Sequence, residues 1–385
     1  MEPALRINLA TTATPSLFSP ANVGALRLAN RIVMAPMTRS RAGTDRVPSP
    51  LAPAYYGQRA SAGLIITEAT QVSAVAAGYP CTPGIYSADQ ALSWRRVVDA
   101  VHIRGGQVVL QLWHAGRVSH PSSLDGRLPV GPSAVAPAGE IFTALGRRPF
   151  VVPRALAAEE IQELIAEFAE AACLAREAGF DGVDIHGANG YLIDQFLRDG
   201  SNQRMDRYGG PPSNRVRLLR EITEAVCDVW GPDRVGVRLS PLHAENDMRD
   251  SDPAATFAHA AGALESIGVA YLHVVEPGPG HPKSTAEGQS LVRSLRRIFS
   301  GSLIVDGGKD RFSAGAALGA TDADLVSFAT PFIANPDLVE RLARDLPLTS
   351  PDPTTFYTGG SRGYADYPPY GISRMDAEVY QPVPR

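Results

Sequence analysis

The chain has 385 residues, 44% of them hydrophobic and 20% charged, with a formal net charge of −4, enough apolar material for a large core and no compositional basis for disorder. Lys and Arg are scattered without a basic run, no stretch is apolar enough to span a bilayer, and Met1 to Thr14 carry no apolar signal core, so nucleic acid and membrane are not expected partners. Cys81, Cys173 and Cys227 are odd in number and far apart, which excludes a disulfide framework or a structural metal site and fits a reducing cytoplasm; Cys173 and Cys227 read as small hydrophobes inside helices.

Short runs rich in Val, Ile and Leu alternate with longer helical stretches. In chain order the pattern predicts strand 31–35, helix 52–60, strand 63–67, helix 88–104, strand 107–112, helix 158–178, strand 182–185 and helix 214–229. It continues with strand 235–239, helix 253–267, strand 270–274, helix 291–299, strand 302–305, helix 311–318, strand 324–328 and helix 336–343. Helix 158–178 is the clearest: Ile161, Leu164, Ile165, Phe168, Ala172 and Ala175 trace one face, and Glu159, Glu160, Glu163, Glu167 and Glu170 the other. Eight strands, each followed by a helix, predict an α/β fold, a (β/α)8 TIM barrel forming one domain over 1–385. The Pro- and Gly-rich segment 115–153 after the third strand is long enough to be a capping loop or subdomain. The tail 351–385 carries Tyr357, Tyr364, Tyr367, Tyr370 and Tyr380, and either packs across the barrel mouth or is loosely ordered.

Barrel active sites form at the carboxy-terminal ends of the strands. The polar residues at those ends are Thr38; Glu68; Gln111 with Trp113 and His114; His186 with Asn189 and Tyr191; Arg238; Glu276; Gly307 with Gly308 and Lys309; and Ala329 with Thr330. Asp306-Gly307-Gly308-Lys309, after the seventh strand, has the glycines that let backbone approach a phosphate, and Lys309 adds charge. His186-Gly187-Ala188-Asn189-Gly190-Tyr191 sets two donors and a phenol on one tight turn. Two donors aimed at one oxygen polarise a carbonyl or nitro group, and the phenol can deliver a proton to a neighbouring carbon. A lone histidine at a strand end would more simply satisfy a loop carbonyl; the trio is what points to chemistry.

These residues resemble the Old Yellow Enzyme family over nearly the whole chain. The resemblance is carried by Asn30-Arg31-Ile32-Val33-Met34-Ala35-Pro36-Met37-Thr38-Arg39, by Gln111-Leu112-Trp113-His114-Ala115-Gly116-Arg117, by the His186 to Tyr191 turn, and by Phe332-Ile333-Ala334-Asn335-Pro336. It implies FMN held non-covalently by Pro36, Met37, Thr38, Ala69, Gln111, Arg238, Gly307, Gly308, Ala329 and Thr330. Thr38 would bond the flavin carbonyl near N5, Gln111 the pyrimidine edge, and Arg238 would sit near N1. It further implies NAD(P)H as co-substrate and a small-molecule enone or nitroalkene as substrate, with ping-pong hydride transfer through N5. His186 and Asn189 would bind the substrate oxygen, Tyr191 would protonate the α-carbon, and Trp113 and Tyr357 would wall the pocket. A monomer or homodimer is expected.

Two features depart from the family. Ala329-Thr330 stands where it usually has Gly-Arg, removing a phosphate contact that Lys309 could restore, and the loop 276–288 with Pro277-Gly278-Pro279-Gly280 is atypical. Two other readings follow: a desaturating oxidase or double-bond isomerase using the same residues, and a barrel with weakened FMN binding that acts as a ligand-binding protein.

Overall fold

The computed structural model describes residues 16–277, 285–320, 323–357 and 359–372. The N-terminal fifteen residues, Tyr380 with the end of the tail, and the centre of the 276–288 loop lie outside them. All eight expected strands form, as Ile32–Met34, Leu64–Ile66, Val108–Trp113, Gly182–Gly187, Val235–Leu239, Tyr271–Val275, Ser302–Asp306 and Leu325–Phe328. Each pairs in parallel with the next, and the eighth pairs with the first, closing a barrel. Among the described residues no helix is long and apolar enough to cross a membrane.

The helices follow the apolar stripes, with differences at their ends. Ala158–Glu177 buries Ile161, Leu164, Phe168, Ala171, Ala172 and Ala175, and its first turn is held by Glu160, which accepts the Ala157 N–H at 2.8 Å. Pro253–Ile267 starts at Asp252, whose carboxylate accepts the Ala255 N–H, and stops at Gly268 with φ of 80°. The expected helix 214–229 divides at Val216 into Pro212–Arg215 and Arg217–Trp230. The helix expected from 291 begins earlier, at Ala286, and the last begins at Leu338, with a separate short helix Thr330–Ala334 before it. Cys173 and Cys227 lie on helices as expected, half-buried rather than enclosed, and all three cysteines are free.

The alternation of a strand sorts each barrel residue inward or outward. Outward residues such as Leu110, Leu112, Val183, Ile185, Val235, Val237 and Leu239 join the large cluster beneath the helices. The inward set at the amino-terminal end is a second apolar cluster of Val33, Leu64, Ile66, Val109, Tyr271, Ile304 and Leu325. A hairpin the sequence did not signal, Ala21–Val23 with Leu26–Leu28, closes that end by adding Val23, Leu26 and Leu28 to the cluster. Towards the other end the inward residues turn polar.

The segment 115–153 is structured: it contains the antiparallel hairpin Glu140–Thr143 with Gly146–Pro149, and Val130–Gly131 pairs with Arg154–Ala155 just beyond it. It leans on the loops after the fourth and fifth strands, where the Ala138 N–H donates to Asp247 and Arg204 donates to the Pro132 carbonyl.

One glycine sets the interior packing. In strand register Gln111 stands opposite Asp184, Asp184 opposite Gly236, and Gly236 opposite Tyr271. The Tyr271 ring crosses the space Gly236 leaves and donates to Asp184 Oδ1 at 3.0 Å; a Cβ at Gly236 would stand 1.9 Å from the ring. Gly236→Ala is expected to cost about 1–3 kcal/mol from overpacking, more if the Tyr271 bond to Asp184 also breaks. A urea midpoint equal to wild type would show that the ring is not held there.

Candidate active site

Just above the apolar plug, Gln111 Nε2 donates to Asp184 Oδ2 at 2.8 Å, while Tyr271 holds the other oxygen. Burial pushes the Asp184 pKa up to about 6, against the opposing pull of the Gln111 bond, the Arg238 charge and the Tyr271 bond. The carboxylate therefore fixes the Gln111 amide, which the sequence selected without seeing what orients it.

One layer further towards the mouth, His186, Arg238 and His273 are neighbours in register. Arg238 Nη2 donates to Asp306 Oδ2 at 2.7 Å, and both side chains are about nine-tenths buried, with 8% and 12% exposure. Burial, reinforced by the Arg238 charge, holds the pKa of His186 well below its ordinary value, so the imidazole is neutral and offers a hydrogen bond without a charge. His273 is neutral for the same reasons and meets Ser327 Oγ at 3.0 Å. Three buried nitrogens here, His186 Nδ1, Arg238 Nε and His273 Nδ1, have no hydrogen-bond partner among the described residues.

The turn after the fourth strand is over-determined. Asn189 adopts a left-handed conformation with φ of 58°, followed by Gly190 at 77°, a conformation asparagine tolerates better than most residues. The Asn189 N–H donates to Ser240 Oγ at 2.7 Å and its carbonyl accepts Asn246 Nδ2 at 2.8 Å. The Gly190 N–H donates to Asp194, itself in a fully buried pair with Arg198 at 2.8 Å. The turn delivers Tyr191 edge-on to His186, with ring centres 4.9 Å apart, and to Trp113, at 5.2 Å. The Tyr191 side chain is largely buried, and this desolvation, reinforced by Tyr79, raises the phenol well above its ordinary pKa. Tyr191 is thus a protonated donor at neutral pH, and its hydroxyl meets that of Tyr79 at 3.4 Å. Ala69, Trp113 and Ala115 form the apolar box beneath, with Tyr79 lying parallel to Trp113. Tyr357 is 58% exposed and follows Phe356, which packs with Met37, Ile333, Ala334 and Tyr367 beside the first strand's exit.

At the first strand's exit Pro36, Met37 and Thr38 form a half-buried loop. The next N–H, of Arg39, donates to Glu68 Oε2 at 3.1 Å, and Glu68 exchanges bonds with Tyr56, whose hydroxyl accepts the Glu68 N–H at 3.0 Å. Burial raises Glu68 to about 7, opposed by the Arg39 N–H and charge. At the seventh strand's exit Gly307 and Gly308 have φ of 135° and 67°. Lys309 Nζ contacts Glu276 Oε2 at 2.5 Å, so its charge is engaged with a carboxylate from the sixth strand's exit instead of standing free. Ala329 lies just before the helix Thr330–Ala334, and the Thr330 side chain is exposed.

The mouth thus collects the trio His186, Asn189 and Tyr191, the pocket pair Trp113 and Tyr357, and the inward Gln111 and Arg238. The residues behind them, Asp184, Asp306, Ser240 and Tyr79, were not singled out from sequence. Asp184 was accessible in principle, since it lies two positions before His186 and so shares its inward face. The donor set fits a flavin: an unpartnered buried guanidinium nitrogen, an oriented amide, and glycines that open the backbone at the phosphate end.

A family model described as the NADH:flavin oxidoreductase / NADH oxidase family matches residues 16–349. A probable flavin mononucleotide-dependent alkene reductase of Leishmania infantum is 43% identical, covering 94% of this chain and 100% of its own. A 12-oxophytodienoate reductase of Oryza sativa subsp. japonica is 43% identical over 91% of this chain and 94% of its own. Among solved structures, morphinone reductase superposes with a TM-score of 0.89 at 46% identity, covering 93% of this chain and 97% of its own. An old yellow enzyme homologue from Zymomonas mobilis gives 0.89 at 43%, covering 92% and 99%.

The raised Glu68 pKa carries a sign. Because the folded value of about 7 exceeds the ordinary 4.5, the associated stability is full below the lower value and is lost as pH rises through the upper one. The loss is on the order of 3 kcal/mol at about 1.4 kcal/mol per unit. Glu68→Gln should flatten the decline in urea stability between about pH 5 and about pH 8 relative to wild type. An equal decline in both proteins would remove Glu68 as its source.

Proposed function

The chain belongs to the Old Yellow Enzyme family, the NADH:flavin oxidoreductase / NADH oxidase family, and from that membership and the mouth geometry we propose how its residues divide the work. The protein is an FMN-dependent oxidoreductase that uses NAD(P)H to reduce the activated C=C bond of α,β-unsaturated carbonyl or nitro compounds. FMN when bound supplies the hydride relay at N5. Its holders are Pro36, Met37, Thr38, Ala69, Gln111, Arg238, Gly307, Gly308, Ala329 and Thr330, with Lys309 beside them.

The observation that carries the residue roles is the neutral, unpartnered His186 nitrogen beside Asn189 and Tyr191 on one rigid turn. His186 and Asn189 bind the substrate oxygen and draw electron density from the double bond, which makes the β-carbon electrophilic. Tyr191, held protonated by its apolar surroundings, gives its proton to the α-carbon. Trp113 and Tyr357 limit the space above the reacting atoms. Arg238, held in place by Asp306, would stabilise negative charge on the flavin. The chain works as one barrel domain in the cytoplasm, as a monomer or homodimer, with 115–153 as a capping subdomain and the tail 351–385 supplying Tyr357.

Protein purified without added flavin should show flavin absorption that bleaches anaerobically with NADPH or NADH and returns with 2-cyclohexenone. A colourless protein that cannot be reconstituted with FMN would overturn the assignment. In Tyr191→Phe, bleaching should proceed as in wild type while return with the enone slows by about 10²-fold or more. Equal slowing of both halves would deny Tyr191 its proton-donor role.

A further inference from the structure

Two arginines just after Thr38 have no place in the chemistry above, yet both reach across to the carboxy-terminal segment. Arg39 is fully buried; its Nε donates to the Phe356 carbonyl at 3.1 Å and its Nη2 to the Gly363 carbonyl at 2.7 Å. Arg41 Nη1 donates to the same Phe356 carbonyl at 3.2 Å, and its Nη2 to the Thr355 carbonyl at 2.8 Å. Tyr364 lies against both: its ring stacks on Tyr55 at 4.1 Å, and the Arg41 guanidinium sits 4.6 Å from its centre. Gly363, with φ of 69°, turns the segment back so closely that a Cβ would strike the Thr355 side chain.

The carbonyl that two guanidinium groups share belongs to the residue before Tyr357. The Tyr357 ring is 58% exposed and, among the described residues, meets the Phe356 ring at 6.2 Å, so packing of its own does little to fix it. Phe356 in turn packs with Met37, Ile333, Ala334 and Tyr367. The position of Tyr357 beside the first strand's exit is therefore set by the backbone anchor and by Phe356, not by its own ring.

We propose that Arg39 and Arg41 are positioning residues for substrate specificity: they strap residues 353–357 and 359–367 to the first strand's exit and so hold Tyr357 as a fixed wall of the substrate pocket. This rests on the ene-reductase reading of the mouth. The strap ties the wall to Thr38, one residue before Arg39, so that pocket and cofactor edge share one anchor. Arg41, half-exposed, is the member whose replacement the fold tolerates best.

The test is a double-mutant cycle on the flavin-loaded enzyme, with Arg41→Met, Tyr357→Ala and both together, reading kcat and KM for 2-cyclohexenone alongside the flavin spectrum. Each single variant should raise KM roughly five- to tenfold with kcat nearly constant, and the double variant should be no worse than Tyr357→Ala, because Arg41 acts through that ring. Arg41→Lys keeps the charge but loses the fork and should give a smaller KM rise that also vanishes without Tyr357. It serves in place of Arg41→Met should that variant not fold. Additive effects, a fall in kcat at constant KM, or loss of flavin from the Arg41 variants would overturn the strap. Wild type that turns over the enone with additive variants rejects the strap alone; wild type that bleaches with NADPH but never accepts an enone rejects the ene-reductase reading and the strap with it.

Discussion

A polar side chain pointing into a closed barrel has no bulk water to satisfy it, so each one must find a partner in the protein or wait for a ligand. This constraint organises the mouth. Asp184 binds Gln111 and Tyr271, Arg238 binds Asp306, and His273 meets Ser327. Among the described residues His186 Nδ1, Arg238 Nε, His273 Nδ1 and Trp113 Nε1 remain unsatisfied, and the first two belong to the residues proposed to face substrate and cofactor. The apolar plug below makes the constraint strict, because the hairpin Ala21–Val23 with Leu26–Leu28 closes the other end of the barrel.

The same desolvation sets protonation states. It disfavours charge on every titratable group in the column, so the histidines are neutral, the phenols protonated, and Asp184 and Glu68 shifted upward. Arg238 is paired with Asp306 at 2.7 Å. A guanidinium beside a neutral imidazole is a useful division under the proposed roles: one would stabilise charge on the flavin, the other would polarise a substrate oxygen without adding a second buried charge. Removing Asp306 would leave Arg238 buried and alone, a far larger cost than losing a surface ion pair.

The barrel itself was legible in the sequence because each strand is a short aliphatic run and each helix a periodic one, and all eight strands lie within two residues of expectation. The trio His186, Asn189 and Tyr191 was legible because its residues are neighbours in the chain. What escaped were relations across the chain. Asp184 supports Gln111 over a separation of 73 residues, and Arg39 reaches Phe356 over 317; no local pattern encodes such pairs. The bottom hairpin escaped because its strands, of three residues each, are too short for a period to register. Tyr79 escaped because it lies in the stretch between strand 63–67 and helix 88–104, where no periodic pattern points to it, and only the fold lays its ring along Trp113.

The phosphate end follows a different logic from the ring end. At the ring end, buried partners fix each donor before any ligand arrives. At the phosphate end Thr330 is exposed, the neighbouring helix Thr330–Ala334 is barely one turn, and the Lys309 charge is already spent on Glu276. For Lys309 to serve an incoming phosphate it must share its ammonium with Glu276, and a carboxylate held close to a second anion weakens that service by like-charge repulsion. If the proposed holders bind FMN, binding strength would therefore be weighted towards Gln111 and Arg238 and towards backbone N–H groups freed by Gly307 and Gly308. An arginine following the eighth strand, the family's usual solution, would have removed that dependence on a shared lysine.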